Sequence, residues 1–304
     1  MRQSIRGYAD GVIAQSVPAD LVTTASELGA VADVIAGSED LRRILADPGV
    51  SVVSRRTVLN DLLSAKVGAD TMRLLVYCVD SDRATELGAN VDWLAARFSE
   101  AVDYRHPVGG VVLGQKGAEE RVSGFAAALV AKGDTQDLLG RVEQELYSFH
   151  QILEANDELR LALTQRDVPS DSRQKLVEDL LRDRAHPITT SLAAYATDVG
   201  RPRDYVGLIA FLAEYMAAEG NRRVAEVRSA VDLDESQRAN LSGALSRVIG
   251  HDVQLRVTVD PAVIAGFVAV IGDTVVDGSA RHRLELLKER LVLPEAKATT
   301  GEPS

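Results

Sequence analysis

"SRRTVLNDLL", residues 54–63, and "SRQKLVEDLL", residues 172–181, are two versions of one pattern. Ser-Arg opens both, Asp-Leu-Leu closes both, and the apolar pair Val58-Leu59 returns as Leu176-Val177. The shift of 118 residues holds far outside this segment. Leu28, Val31 and Ile35 return as Leu146, Phe149 and Leu153, and Leu41-Arg42 as Leu159-Arg160. At the far end Leu87, Val91, Leu94 and Phe98 answer to Tyr205, Ile209, Leu212 and Met216. Nearer the N-terminus the shift is 117, which sets Ile5, Tyr8 and Val12 opposite Val122, Phe125 and Leu129. Spacings of three and four place each set on one face of a helix. Any two amphipathic stretches share an apolar period; shared polar landmarks over residues 28–98 require a duplication.

Each copy divides into six helices, which in the first lie near 2–16, 19–36, 39–46, 52–67, 70–81 and 84–102. Ser38 and Asn156 stand as N-caps before Leu41 and Leu159, and Pro48-Gly49 stops the third helix. Pro169 opens the fourth helix of the second copy, where a missing N–H costs nothing. Between the copies "YRHPVGGVVLGQKG", residues 104–117, has the composition of a linker. It contains neither GxGxxG nor GK[ST], so it is no phosphate loop.

The chain of 304 residues exceeds one ordinary domain. Its aromatic content is only 4%, so its cores are aliphatic. A net charge of −11 disfavours phosphate backbones and anionic membranes as partners and suits docking on protein. The single cysteine, Cys78 in "LLVYCVD", forms no intrachain disulfide and reads as a small buried apolar residue. There is no signal-peptide pattern and no run of about 18 apolar residues, so a cytoplasmic chain is expected, touching a membrane only through a partner.

Beyond Asn221 the period changes. In "RVAEVRSAV" the apolar positions Val224, Val227 and Val231 are too sparse to assign a strand. "DLDESQRANLSGALSRVIGH" is helical, with Leu241, Leu245, Val248 and Ile249 on one side. "DVQLRVTVD" alternates strictly and reads as a half-buried strand. Gly272-Asp273 separates two β-rich runs as a hairpin turn. Asp277-Gly278-Ser279 then turns the chain into a helix striped by Leu284, Leu287 and Leu291, and the tail reads as disordered.

Residues 257–291, "VTVDPAVIAGFVAVIGDTVVDGSARHRLELLKERL", resemble the C-terminal signature of the delta subunit of F-type ATP synthases, the oligomycin-sensitivity-conferring subunit family. Val259, Asp260, Pro261, Ile264, Gly266, Gly272, Asp277, Gly278, Ser279, Arg283 and Leu284 match; Ala265 stands where that family usually has Gly. "AEVRSAVDLDESQ", 225–237, resembles the family's domain boundary, and "IRGYADGV", 5–12, its opening helix. A usual member has one helical bundle, so residues 118–304 resemble a complete subunit and 1–103 an extra bundle. Such duplication is a feature of actinobacterial members, some fused to the b stalk; the lack of a span implies an unfused form. The expected architecture is mainly α: bundles at 1–103 and 118–222 joined by a linker at 104–117, a small α+β domain at 223–292 and a tail at 293–304.

The resemblance implies a mechanical role, in which the bundle holds N-terminal segments of the catalytic α subunits and the C-terminal part engages the b stalk. Neither nucleic acid nor a cofactor is expected. In such a bundle the first and fifth helices form the α groove, making Tyr8, Val12 and Leu75, or Phe125, Leu129 and Ala193, candidate contacts. The same six positions also suit an ordinary bundle core. The second copy, contiguous with the signature, is the expected α binder. A free-standing helical adaptor is the alternative. A catalytic reading has little support: Asp260, Asp273 and Asp277 sit at turns, where Asp is a common former. Histidines 106, 150, 186, 251 and 282 lack metal-ligand spacing, and no GxSxG is present.

Overall fold

The structure, a computed structural model, describes residues 1–103, 112–131, 136–222, 224–249, 253–260, 263, 265–271 and 274–278. Residues Met1–Ala217 form one compact unit and Ala218–Ser304 another. The first copy consists of α1 (Gln3–Gln15), α2 (Pro18–Gly37), α3 (Glu39–Ala46), α4 (Val52–Leu63), α5 (Ala69–Ser81) and α6 (Leu87–Asp103). The second consists of α7 (Gln115–Val130), α8 (Gln136–Ala155), α9 (Asp157–Thr164), α10 (Ser170–Leu181), α11 (Pro187–Val199) and α12 (Tyr205–Arg222). From α8 to α12, every helix starts 118 residues after its counterpart. A short 3₁₀ turn precedes the sixth helix in both copies, at Ala84–Glu86 and Pro202–Asp204.

The local rules that set these boundaries are visible in the atoms. Ser38 Oγ accepts from the Leu41 N–H and Asn156 Oδ1 from the Leu159 N–H, so equivalent helices carry equivalent caps. Pro169 stands immediately before α10. One boundary differs from the expected 67: α4 stops at Leu63, where the Lys66 and Val67 N–H groups both return to the Leu63 carbonyl. Arg184 and Ala185 close on Leu181 in the same way. Of the linker, 104–111 lie outside the described residues. In its remainder, Leu113 N–H donates to the Val199 carbonyl, and α7 starts at Gln115.

Each copy has its own aliphatic core. Leu28, Val31, Leu94 and Phe98 fill the first, and Leu146, Phe149, Leu212 and Met216 fill the second, all at 3% exposure or less. Each such side chain contributes about 1.5–3 kcal/mol of burial.

The copies meet through their first helices. A Cβ on Gly7 would lie 1.9 Å from the Arg121 carbonyl oxygen, and one on Gly124 would lie 1.9 Å from the Ser4 carbonyl oxygen. Under the 117 shift Gly7 corresponds to Gly124 and Ser4 to Arg121, so this contact is reciprocal, like an interface about a two-fold axis. Further along, a Cβ on Gly11 would meet Ala128 Cβ at 2.6 Å, and Gln15 Nε2 donates to the Ala128 carbonyl at 3.0 Å. Only side chains this small permit two helical backbones to approach so closely. The consequence for α1 is burial all round: every residue from Gly7 to Ile13 is buried. Such a helix is a core element.

The second unit holds a four-stranded sheet in the order β2-β1-β3-β4. Its members are β1 (Val224–Ser229), β2 (Gln254–Val259), β3 (Phe267–Ile271) and β4 (Thr274–Asp277). β1 and β2 are parallel, which requires a crossover, and α13 (Glu235–Ile249) supplies it. β3 pairs antiparallel with both β1 and β4. Ala225, Val227, Leu245, Val253, Ala269 and Ile271 form the core. β1 corrects the expectation of no assignable strand at 224–231: it is a central strand. Its inward positions are Ala225, Val227 and Ser229, so two small residues dilute the alternation, and Val231 lies outside it, 63% exposed. The expected strand at 252–260 and the hairpin around 272–273 are present as β2 and β3-β4. The C-terminal helix expected after Ser279 and the tail lie outside the described residues.

Candidate functional site

The contact between copies encloses a charged cluster. Asp10, on α1, is 3% exposed and accepts from three side chains of three other helices. Arg121 of α7 reaches Oδ2 at 2.7 Å through Nη2 and 3.2 Å through Nε. Tyr195 of α11 donates to the same oxygen at 2.6 Å. Arg97 of α6 approaches Oδ1 only at 3.5 Å. The Arg97 side chain is 7% exposed, and its Nη1 has no hydrogen-bond partner.

Arg6 adds a further cation, stacked 5.3 Å from the Trp93 ring centroid, with an unpartnered buried Nε. Burial, and next the charge of Arg121, lower the Arg6 pKa against the pull of Asp10. For Arg121 burial acts downward too, but Tyr195 and Asp10 outweigh it and hold the guanidinium charge firmly. Burial first, and then Asp10, push the Tyr195 hydroxyl well up, so it remains a neutral donor. Two guanidiniums thus contact one carboxylate, and the charge of a third is felt there.

This cluster borders a cleft of about 880 Å³ that spans both copies. Asp10, Ile13 and Ala14 of α1 and Arg97 of α6 come from the first copy; Phe125 and residues of α10 and α11, Tyr195 among them, come from the second. Along α10 and its C-cap the lining runs from Ser170 to Arg182, about 18 Å or three helical turns at 1.5 Å per residue. The apolar floor is edged by mixed charge: Asp171, Glu178 and Asp198 against Lys175 and Arg182.

Two carboxylates elsewhere hold the fifth helices in place. Glu27 of α2 accepts from the Gly68 N–H at 2.9 Å and from the Thr71 hydroxyl. Glu145 of α8 accepts from the His186 N–H at 2.7 Å and the Thr189 hydroxyl at 2.6 Å. All three members move by 118, so each bundle fastens the positive start of its fifth helix to its second helix. Burial favours the neutral form of Glu145, but hydrogen bonds from Thr189, Arg141 and the His186 N–H outweigh it and hold the carboxyl below the usual range.

A model of the family described as "ATP synthase delta (OSCP) subunit" matches residues 5–104 and 122–291. The chain belongs to that family. The two matched spans coincide with the two copies, the second continuing through the sheet. An "ATP synthase subunit delta" of Nocardia farcinica is 34% identical over 292 residues, covering 95% of both chains. That of Salinispora arenicola is 33% identical over 282 residues, covering 93% of both. That of Parafrankia sp. is 32% identical over 281 residues, covering 92% of this chain and 91% of the relative.

For a delta (OSCP) family member, the six family-guided contact candidates lie deep. Tyr8, Val12, Leu75, Phe125, Leu129 and Ala193 are each at most 5% exposed. Tyr8 stacks on Tyr77 and Phe125 on Tyr195, at centroid distances of 4.0 and 3.8 Å. These pairs are equivalent under the repeat, and each ties a first helix to a fifth. Of the six, Phe125 borders the open cleft.

The signature positions divide. Asp260 donates its N–H to the Ser229 carbonyl and accepts from the Val263 N–H, a turn role. Gly266 has φ 86°, a backbone state that only glycine adopts without strain. Gly278 donates its N–H to the Phe267 carbonyl; a Cβ there would lie 2.8 Å from the Phe267 ring. Pro261, Gly272 and Ser279 lie outside the described residues, as does the side chain of Asp277. Cys78 is 2% exposed, and burial pushes its thiol well up, away from reactivity.

Proposed function

We propose that this chain, a peripheral-stalk subunit of ATP synthase by its family, ties N-terminal segments of the α subunits to the b stalk and resists rotor torque. It does so as a peripheral component on the cytoplasmic face of the membrane complex. Among the described residues no helix is long and apolar enough to cross a membrane, which accords with attachment through partners. Family membership displaces the free-standing adaptor. We further propose that 1–103, 118–222 and 223–292 are its folding modules and that the second bundle receives the α segment.

The observation that supports this reading is the cleft over α10 and α11, long enough for about three turns of a partner helix and floored by Ile13, Ala14, Phe125 and Ala194. The test uses cysteine-directed photocrosslinking in the assembled complex, which the buried Cys78 leaves clean. A probe at Lys175 of the cleft should capture the α N-terminal segment. A probe at Thr57, the first-copy counterpart of Lys175, should not. Capture from Thr57 alone would reverse the assignment.

A further inference from the structure

We infer that the cleft between the two copies selects its occupant by a carboxylate, and that Arg97 is the residue that takes it. This rests on the docking reading above and adds the chemistry of recognition.

Three features of the cluster lead there. First, its charges do not balance. Arg97 and Arg121 both reach a single carboxylate, Asp10, and Arg6 adds a third positive charge nearby, inside a chain whose net charge is −11. Holding a guanidinium out of water with an unfilled donor is costly, and the unpartnered Nη1 of the buried Arg97 is such a donor. Second, the grip on Asp10 is unequal. Arg121 holds it at 2.7 Å with a second contact, whereas Arg97 stands at 3.5 Å and lines the cleft. Arg97 is therefore the guanidinium that can turn to an incoming acid while Asp10 remains neutralised. Third, the cluster departs from the duplication. Arg6, Asp10, Arg97 and Arg121 correspond to Ser123, Ala127, Tyr215 and Ser4, none of them charged. A single bundle does not require these charges, because the equivalent positions of the other copy are uncharged.

The walls narrow the occupant further. Asp171, Glu178 and Asp198 repel a free multivalent anion, yet they suit a helical segment with one inward acid flanked by basic residues. A planar carboxylate also matches the fork of a guanidinium better than a point charge does. The occupant is accordingly a mixed-charge protein helix of about three turns, with a Glu or Asp at its buried face.

The experiment titrates the full chain with a fluorescent synthetic peptide of the first 25 or so residues of the α subunit from the same organism. Each acidic residue of the peptide is replaced singly by its amide. Arg97→Gln should weaken binding by about ten- to a hundredfold, the range of a charge-assisted hydrogen bond. One amide peptide should show a similar loss on the unaltered chain and no further loss on Arg97→Gln. Arg97→Lys, which keeps charge and loses the fork, should fall between. Unchanged affinity for Arg97→Gln overturns the inference and leaves docking standing, as do additive losses for every peptide. If Arg97→Gln does not fold, the amide peptides on the unaltered chain decide: equal binding by all of them overturns it. Failure of the parent peptide to bind, with no crosslink at Lys175, removes both readings.

Discussion

The closeness of α1 and α7 makes a glycine-to-alanine change a measurement of the interface between copies. An alanine at 124 would place Cβ 1.9 Å from the Ser4 carbonyl oxygen, while real Cβ atoms essentially never come nearer than 3.0 Å. Backbone faces backbone there, so no side-chain rotation relieves the overlap, and the helices must part by about 1.1 Å. A radial gap of about 0.5–1 Å forfeits a quarter to a half of a dispersion well. That loss falls on Ile5, Tyr8, Val122 and Phe125 around the crossing. Overpacking of this kind costs typically about 1–3 kcal/mol, offset by about 1 kcal/mol because alanine favours a helix over glycine. Gly124→Ala and Gly7→Ala should each destabilise Met1–Ala217 by up to about 2 kcal/mol net, read as a shift of the denaturant midpoint. The controls are Gly29→Ala and Gly140→Ala, mid-helix sites with nothing within 4 Å of the added Cβ. These should stabilise by about 0.5–1 kcal/mol. If Gly7→Ala and Gly124→Ala stabilise like the controls, the copies do not pack through their first helices.

Asp10→Asn strips the counter-charge from Arg97 and Arg121 and should cost about 3–5 kcal/mol, the range for an orphaned buried ion, whereas Tyr195→Phe removes the bond donated to Asp10 and the one accepted from Arg121 and should cost about 1–3 kcal/mol; chemical denaturation of both variants checks the order. Glu145→Gln should weaken the fastening of α11 to α8 by about 1–2 kcal/mol at neutral pH. Because the folded carboxyl lies below its ordinary value, that contribution is complete above about pH 4.3 and fades as pH falls through the lower folded value. Melting temperatures of Glu145→Gln and the parent should therefore converge in acid; a constant gap would remove the carboxylate from the explanation. Gly266→Ala, at φ 86°, should cost about 1–2 kcal/mol in the sheet unit, seen as earlier loss of amide-exchange protection in β1 and β3 with the bundles unaffected.

Much of the fold was legible in the sequence because its determinants are local and repeated. Ser38 and Asn156 cap their helices within three residues, and the 118 shift carries caps, stripes and turns together. The hairpin was legible because β3 and β4 are consecutive. β1 was not, since its inward face carries Ala225 and Ser229 and its hydrogen bonds go to strands 30 and more residues away. The Glu27 and Glu145 fastenings were readable in principle: each acid stands 41 residues before the N–H and 44 before the threonine it binds, in both copies. The Asp10 cluster gave no periodic signal, because it joins residues separated by 87, 111 and 185 positions. Its trace in the sequence is negative: charges at four positions where the other copy has none.

The first helix shows why the duplication by itself does not say where a partner would dock. In one isolated bundle the apolar stripe of α1, Ile5, Tyr8 and Val12, faces that bundle, and the opposite face, Gly7 and Gly11, would be open to a partner. In this chain that open face is filled by α7, whose own glycine face is filled by α1. Each copy therefore serves as the other's first-helix partner, and what stays open is displaced toward α10 and α11. The displacement has a mechanical benefit. On the proposed docking, a load carried from a segment in the cleft would pass into a helix pair in backbone contact, where neither element can slide without breaking the Arg121–Asp10–Tyr195 bonds. A stalk subunit that must not yield under torque needs such a joint, and two bundles joined only by a glycine-rich tether would lack it.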